Sequence, residues 1–314
     1  MIKCGRLKST LLCAGLIMTC LAGCAAAAGD SGMSESVNAR ENITAEDDDR
    51  TEEKTVAKKS DVIDMEADVV ENVEEEVSWE GMSLSIFGDS ISTFDGYIPE
   101  GYAVFFPLEG DVTDVSQTWW MKLIEETGME LCSNSSSAGS TCVGDSLSTD
   151  NPKYGCSGFR ISSLTGKQGE IPDVIIIYMG TNDLLTGAPI GDNDGTNFVE
   201  EGMVENFSDA YTLILDKLSS DYPVSQIYCC TLLQVGAWGT SEPYVTFRNS
   251  EGLTAEYYSM QIKTIAKNKG IPVIDLYHCG IEIDNLSEMT TDGVHLTPMG
   301  MECVERAILD VMKK

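Results

Sequence analysis

The chain has 314 residues and a formal net charge of -31, with 51 acidic side chains against 20 lysines and arginines. A polyanion of this kind is repelled by nucleic acid and by anionic lipid, which excludes both as electrostatic partners. Much of the acidity precedes residue 81, and the residues from 81 to 314 suffice for one large buried core.

Lys3, Arg6 and Lys8 precede an apolar run over residues 11–20, which meets Leu21-Ala22-Gly23-Cys24. Basic, then apolar, then small is the order of a secretory signal, and the run is too short to cross a bilayer as a helix. Leu-Ala-Gly-Cys resembles the bacterial lipoprotein box. That resemblance implies removal of residues 1–23, lipidation of the Cys24 thiol and an extracytoplasmic, membrane-anchored protein. Ordinary signal cleavage among residues 25–28 is the alternative and gives a secreted one. Residues 24–80 are poor in aromatics and carry runs such as Glu46-Asp47-Asp48-Asp49 and Glu74-Glu75-Glu76. Such a segment cannot bury enough apolar surface to offset its ordering entropy and reads as a disordered tether, with a reach of roughly 40 Å.

The folded domain, 81–314, opens with Ser83-Leu84-Ser85-Ile86-Phe87-Gly88-Asp89-Ser90, a strand that stops at a glycine two positions before a serine. An aromatic-rich loop follows (Phe94, Tyr97, Tyr102, Phe105, Phe106), then a helix over 116–127 whose Trp119 and Trp120 read as core. Leu131-Cys132 is a brief second strand, ahead of the small-residue loop Asn134-Ser135-Ser136-Ser137-Ala138-Gly139-Ser140, which lets backbone approach a substrate closely. Residues 172–179 form a continuous β-branched run, as a central parallel strand covered on both faces requires, and it ends at Gly180-Thr181-Asn182-Asp183. Val204, Phe207, Tyr211, Ile214, Leu215 and Leu218 mark one face of an amphipathic helix. Residues 226–232 form the fourth strand, with Trp238 beyond it. Residues 253–269 form a helix closed by Gly270, and 272–276 a fifth strand. The last helix starts at Pro298, a favoured first-turn residue. Strands alternating with helices predict a three-layer α/β/α fold with a five-stranded parallel sheet in the flavodoxin-like order 2-1-3-4-5.

Seven cysteines lie beyond Cys24, at 132, 142, 156, 229, 230, 279 and 303. Outside the cytoplasm an odd number leaves at least one free thiol. Most read as small core residues, and a Cys142–Cys156 bridge would close the loop between them. No C-x-x-C pair is present, and Asp192-Asn193-Asp194-Gly195 lacks the first ligand of a calcium loop. Neither a metal nor another cofactor is called for.

Ser90, the 134–140 loop and Asn182 each follow a predicted strand, so a parallel sheet brings them to one edge. A serine hydroxyl needs a base, and the chain has two histidines. His295 lies in Asp292-Gly293-Val294-His295, three residues after a carboxylate that can hold its imidazole. His278 stands in the same relation to Asp275 and is the competitor, ranked second because Asp275 falls inside the fifth strand. The Ser90 and Gly139 backbone N–H groups and the Asn182 side-chain amide are candidate oxyanion donors. Asp89 and Asp183 read as turn-stabilising.

Gly-Asp-Ser-Ile-Ser, the glycine loop, Gly-Thr-Asn-Asp and Asp-Gly-Val-His together resemble the four blocks of the SGNH (GDSL) hydrolases, in order, over residues 83–313. The resemblance implies the SGNH hydrolase fold, with Ser90 as nucleophile, an Asp292–His295 pair, and Ser90, Gly139 and Asn182 in the oxyanion hole. Serines replace the family's glycine after Asn134, which leaves Ser137 and Ala138 as rival donors to Gly139. It further implies a serine esterase whose partner is an ester substrate, above all an acetylated carbohydrate or cell-envelope glycan. A lipase, a thioesterase or lysophospholipase, or a non-catalytic glycan-binding lipoprotein are the alternatives.

Overall fold

Strands alternate with helices along the chain, as the apolar runs require. The structure, a computed structural model, describes residues 78–237 and 243–313. The expected signal peptide, Cys24, the tether as far as residue 77 and Trp238 lie outside the described residues. In chain order the elements are β1 (Ser83–Gly88), α1 (Trp119–Thr127), β2 (Glu130–Ser136), β3 (Gly144–Asp145), α2 (Gly158–Ser162), β4 (Val174–Tyr178) and α3 (Thr181–Thr186). There follow β5 (Met203–Val204), α4 (Phe207–Asp221), β6 (Gln226–Cys230), α5 (Ala255–Asn268), β7 (Val273–Ile274), α6 (Leu286–Met289) and α7 (Pro298–Met312).

Five strands form one sheet in the order β2-β1-β4-β6-β7, every pair parallel, which is the expected 2-1-3-4-5 arrangement. The central strand β4 is buried along its whole length. Its side chains alternate: Val174, Ile176 and Tyr178 join a core with Trp119, Trp120, Leu123, Val304 and Ile308, whereas Ile175 and Ile177 join one with Phe207, Ile214, Leu218, Ile262 and Ile265. Period-two alternation thus supplies both faces, with α1 and α7 covering one and α4 and α5 the other. The helices begin where side chains satisfy free backbone donors. Thr118 accepts from Met121 N at α1, Asn206 from Asp209 N at α4, and Thr297 from Gly300 N at α7, with Pro298 in the first turn.

Several boundaries differ from those the sequence suggests. Trp79 is 6% exposed and already packs in the core, so packing begins before residue 81. β2 runs on through Ser136, placing Asn134 in the strand rather than in the loop, because parallel pairing with β1 carries small polar residues that have little strand preference of their own. Val204 belongs to β5, which pairs antiparallel with β3; a two-residue ladder leaves no alternation to read. Asp275 lies just past β7 instead of inside it. Among the described residues all seven cysteines are free thiols, Cys142 and Cys156 included.

β1 ends where there is no room for a side chain. Gly88 is in register with Ser136 on one side and Tyr178 on the other. A Cβ there would lie 2.7 Å from Ser136 Oγ and 2.8 Å from Ser92 Cβ, closer than real side chains come. The glycine lets the following turn fold back against β2. Gly88→Ala is expected to cost about 1–3 kcal/mol as an overpacking change, read as a lower urea midpoint. An unchanged midpoint would mean that the turn and β2 yield freely.

Candidate active site

Immediately after Gly88, the Asp89 carboxylate accepts from Ile91 N at 3.1 Å and starts a short 3-10 turn over Ser90–Ser92. Thr93 closes that turn, its N–H and its hydroxyl both donating to Ser90 O. Three donors hold Ser92 from below: Trp119 Nε1 on its hydroxyl (3.1 Å), and Trp120 Nε1 (3.1 Å) and Asn134 Nδ2 (2.9 Å) on its carbonyl. The tryptophans are core, as expected, and they also fasten the turn that presents Ser90.

The second component arrives from the far end of the chain. Gly293, at φ 88°, adopts the left-handed conformation that favours glycine. The turn around it lets Asp292 Oδ1 accept from Val294 N (3.0 Å) and His295 N (2.8 Å). Asp292 Oδ2 meets His295 Nδ1 at 2.7 Å, and His295 Nε2 meets Ser90 Oγ at 2.9 Å. The carboxylate can only accept, so Nδ1 carries the proton and Nε2 is left to accept from the serine hydroxyl. Burial works to raise the Asp292 carboxyl, but the bonds from His295 and the two backbone N–H groups outweigh it and hold the group below the ordinary range. Phe105 lies flat on the imidazole, with ring centroids 3.6 Å apart and planes 11° from parallel. Its own N–H donates to Thr93 Oγ1, so the ring that covers His295 is tied to the turn that carries Ser90. His278 is also paired with its carboxylate, Asp275, at 2.9 Å, but its side chain is 66% exposed and Asp275 is shared with Lys263. No serine hydroxyl meets it among the described residues.

The third component comes from β2, β4 and the loops beyond them. Ser137 N donates to Gly88 O and Ala138 N to Ala103 O, so both rival donors are occupied. The N–H groups of Gly139, at φ 72°, and of Ser90 have no acceptor among the described residues. Asn182 gives one N–H to Ser140 O at 3.0 Å, which couples the two loops and leaves its second N–H available. Asp183, expected only to stabilise its own turn, reaches across instead: its carboxylate accepts from Cys142 N (2.8 Å) and Val143 N (3.0 Å) and pins the loop after Gly139. Beneath these loops lies Arg160, fully buried. It donates to the carbonyls of Gly88 (3.0 Å), Ser135 (2.7 Å) and Pro152 and rests against the rings of Phe87 and Tyr102. In the sequence Phe105 is one of five aromatics in a loop, and Arg160 has no assigned role. An aromatic loop does not say which ring meets the histidine, and a single arginine between Phe159 and Ile161 carries no pattern.

Burial dominates the electrostatics under the site. It pushes the Asp89 carboxyl up to about 6 against the opposing Ile91 bond, and Asp183 up to about 7 against its two backbone donors. A folded-state value above the unfolded 3.8 means that the stability supplied by Asp183 is complete at low pH and is lost as pH rises towards about 7. The stability of the wild type relative to Asp183→Asn is therefore expected to decline between about pH 4 and pH 7, as measured by urea midpoints. A difference that stays flat over that window would overturn the assignment.

The chain matches the family model for GDSL-like lipase/acylhydrolase over residues 82–285. None of the curated proteins matches it. Among solved structures, a Bacteroides ovatus protein described as a GDSL-like lipase is 27% identical, with a TM-score of 0.55 over 74% of this chain and 98% of that one. A second such protein, from Bacteroides uniformis, is also 27% identical, with a TM-score of 0.54 over 73% of this chain and 94% of that one. A protein from Lactobacillus plantarum, 17% identical with a TM-score of 0.54 over 75% and 97% of the two chains, shares the fold. With its parallel sheet and its Gly-Asp-Ser turn in place, the chain belongs to the GDSL-like lipase/acylhydrolase family and is a serine ester hydrolase.

Proposed function

We propose that this hydrolase cleaves carboxylic esters through an acyl-enzyme, with Ser90 as nucleophile, His295 as general base and acid, and Asp292 as the group that orients the imidazole. The observation that carries this reading is the unbroken contact from Asp292 Oδ2 through both imidazole nitrogens to Ser90 Oγ. As Ser90 Oγ bonds to the ester carbonyl carbon, its proton passes to His295 Nε2, and Asp292 stabilises the imidazolium. The negative charge gathered on the carbonyl oxygen is met by the N–H groups of Ser90, Gly139 and Asn182, fixed in place before the reaction and therefore needing no reorganisation. Collapse of the tetrahedral species breaks the ester C–O bond, and the leaving alcohol takes the proton from His295. Water then attacks the acyl-Ser90 carbonyl with His295 again as base, releasing the acid and restoring the hydroxyl.

The acyl group we propose is acetyl and the alcohol a carbohydrate hydroxyl, as on an envelope glycan. Ala138 and Gly139, the two of residues 135–140 that reach the surface, support this, since their small side chains let a bulky polar alcohol come close to the Gly139 N–H. So does the chain's own address: residues 1–23 have the order of a signal peptide, and Cys24 closes a lipoprotein box. We propose that lipid on Cys24 holds the enzyme on the outer side of the membrane, where ester-bearing glycans are found, with two or more acyl chains making the anchor stable.

Ser90→Ala is expected to lower p-nitrophenyl acetate hydrolysis by at least about 10³-fold with an unchanged far-UV spectrum. Retained activity would overturn the mechanism. His295→Ala is expected to cost a similar factor and His278→Ala little; the reverse order would move the base to His278. In a series of acyl esters and acetylated xylan, rates should favour acetyl, whereas rates rising with chain length would point to a lipase. Anchoring predicts partition into the detergent phase that Cys24→Ala abolishes, and an unchanged partition would contradict it.

A further inference from the structure

The seven described cysteines fall into two kinds. Cys142, Cys156, Cys229 and Cys230 are fully buried, and desolvation holds their thiols above the ordinary range. Cys132 is partly exposed and lies against the carbonyls of Leu164 and Glu170, with no other cysteine beside it. Cys279 and Cys303 alone among the described residues combine partial exposure with mutual contact. Cys279 ends the 3-10 turn Leu276–His278 and Cys303 sits in the second turn of α7, where its Sγ lies 3.1 Å from Cys279 O. The two cysteines therefore touch through the Cys303 thiol and the Cys279 backbone carbonyl.

We propose that Cys279 and Cys303 form a thiol–disulfide exchange site, which a disulfide oxidant closes into an intramolecular bridge across the segment carrying Asp292 and His295. The two thiols are unequal in a way that suits sequential exchange. The Cys279 side chain, aided by Arg306 one turn along α7, lowers the Cys303 thiol, while the Cys303 side chain and burial raise Cys279. Cys303 is thus the attacking sulfur and Cys279 the resolving one. The Cys303 thiolate bonds to one sulfur of the oxidant, whose S–S bond breaks and whose other half leaves as a thiolate that takes up the proton from Cys303. Cys279 then loses its proton, bonds to the Cys303 sulfur and expels the second half of the oxidant. Two protein thiols have lost two electrons and two protons, and the oxidant has become two thiols.

The closed loop contains α6, Asp292, His295 and the Thr297 cap of α7. Closing it restricts the unfolded chain far more than the native one, in which these residues are already in contact. None of the readouts of the bridge involves turnover, so it stands or falls separately from the proposed mechanism.

The test uses the full chain, reduced and then incubated with oxidised glutathione. Remaining thiols are blocked with N-ethylmaleimide, and the protein is digested without reduction for mass spectrometry. The expected product is a peptide pair joined through Cys279 and Cys303, about 2 Da lighter than the sum of its reduced parts. The oxidised protein is expected to melt roughly 5–10 °C above the reduced one. Dithiothreitol should reverse both effects, Cys303→Ser and Cys279→Ser should each abolish them, and Cys132→Ser should leave them intact. The reduced wild type is the reference for melting, so the comparison holds even where a serine variant folds poorly. Glutathione adducts on either cysteine without the linked peptide, or a linked peptide with no reversible rise in melting temperature, would overturn the proposal.

Discussion

β1 lies between β2 and β4 in an all-parallel sheet, and its carboxyl end is gripped from both sides. Gly88 has Ser136 on one flank and Tyr178 on the other, its carbonyl accepts from Arg160 and from Ser137, and the tryptophans of α1 hold the turn beyond it. Parallel strands end on the same edge, so Ser90, the 137–143 loop and Asn182 emerge as neighbours without a long connection bending back to bring them together. Each then depends on the others. Asn182 holds Ser140, Asp183 holds Cys142 and Val143, and Thr93 joins the Ser90 turn to Phe105 and through it to His295.

This arrangement puts charge where water cannot reach it. Asp89, Asp183 and Arg160 are all fully buried, and Asp89 keeps one buried carboxylate oxygen with no partner among the described residues. Arg160 is desolvated enough to be lowered to about 10, yet its guanidinium pairs with backbone carbonyls, with no carboxylate among its hydrogen-bond partners. Ionised groups without close counter-ions are costly in a protein interior. What they provide is direction: a planar fork with several donors gathers carbonyls from β1, β2 and the 152 loop onto one point. The same segments carry the N–H groups of Ser90 and Gly139, which have no acceptor among the described residues.

The family match extends over residues 82–285 and stops short of the Asp292–His295 turn. Geometry supplies that half of the constellation. The turn is delivered by the segment between β7 and α7, which is sequence-distant from β1 and meets it only in the folded chain. A contact of 2.9 Å between residues 90 and 295 depends on the packing of α7 beside α1 as much as on the local motif.

The sequence by itself determined the five strands of the main sheet, their order and the main helices, and it brought Ser90, His295 and Asp292 forward as one set. These rest on local chemistry: β-branched runs, helical spacing of apolar residues, glycine at a strand end and a carboxylate three residues before an imidazole. It also named Gly139 and Asn182, though it left Ser137 and Ala138 as rivals to Gly139. Only the tertiary structure distinguishes these groups, because the N–H groups of Ser137 and Ala138 already have acceptors on Gly88 and Ala103 and that of Gly139 has none among the described residues. It likewise distinguishes His295 from His278, which share the same spacing to a carboxylate: His295 is buried and meets the Ser90 hydroxyl, whereas His278 is exposed and its carboxylate is shared with Lys263. The stacking of Phe105 on His295, the carbonyls gathered by Arg160 and the reach of Asp183 were invisible beforehand for one reason: each acts on groups far away in the chain, and no periodicity records a contact that exists only once the layers have packed.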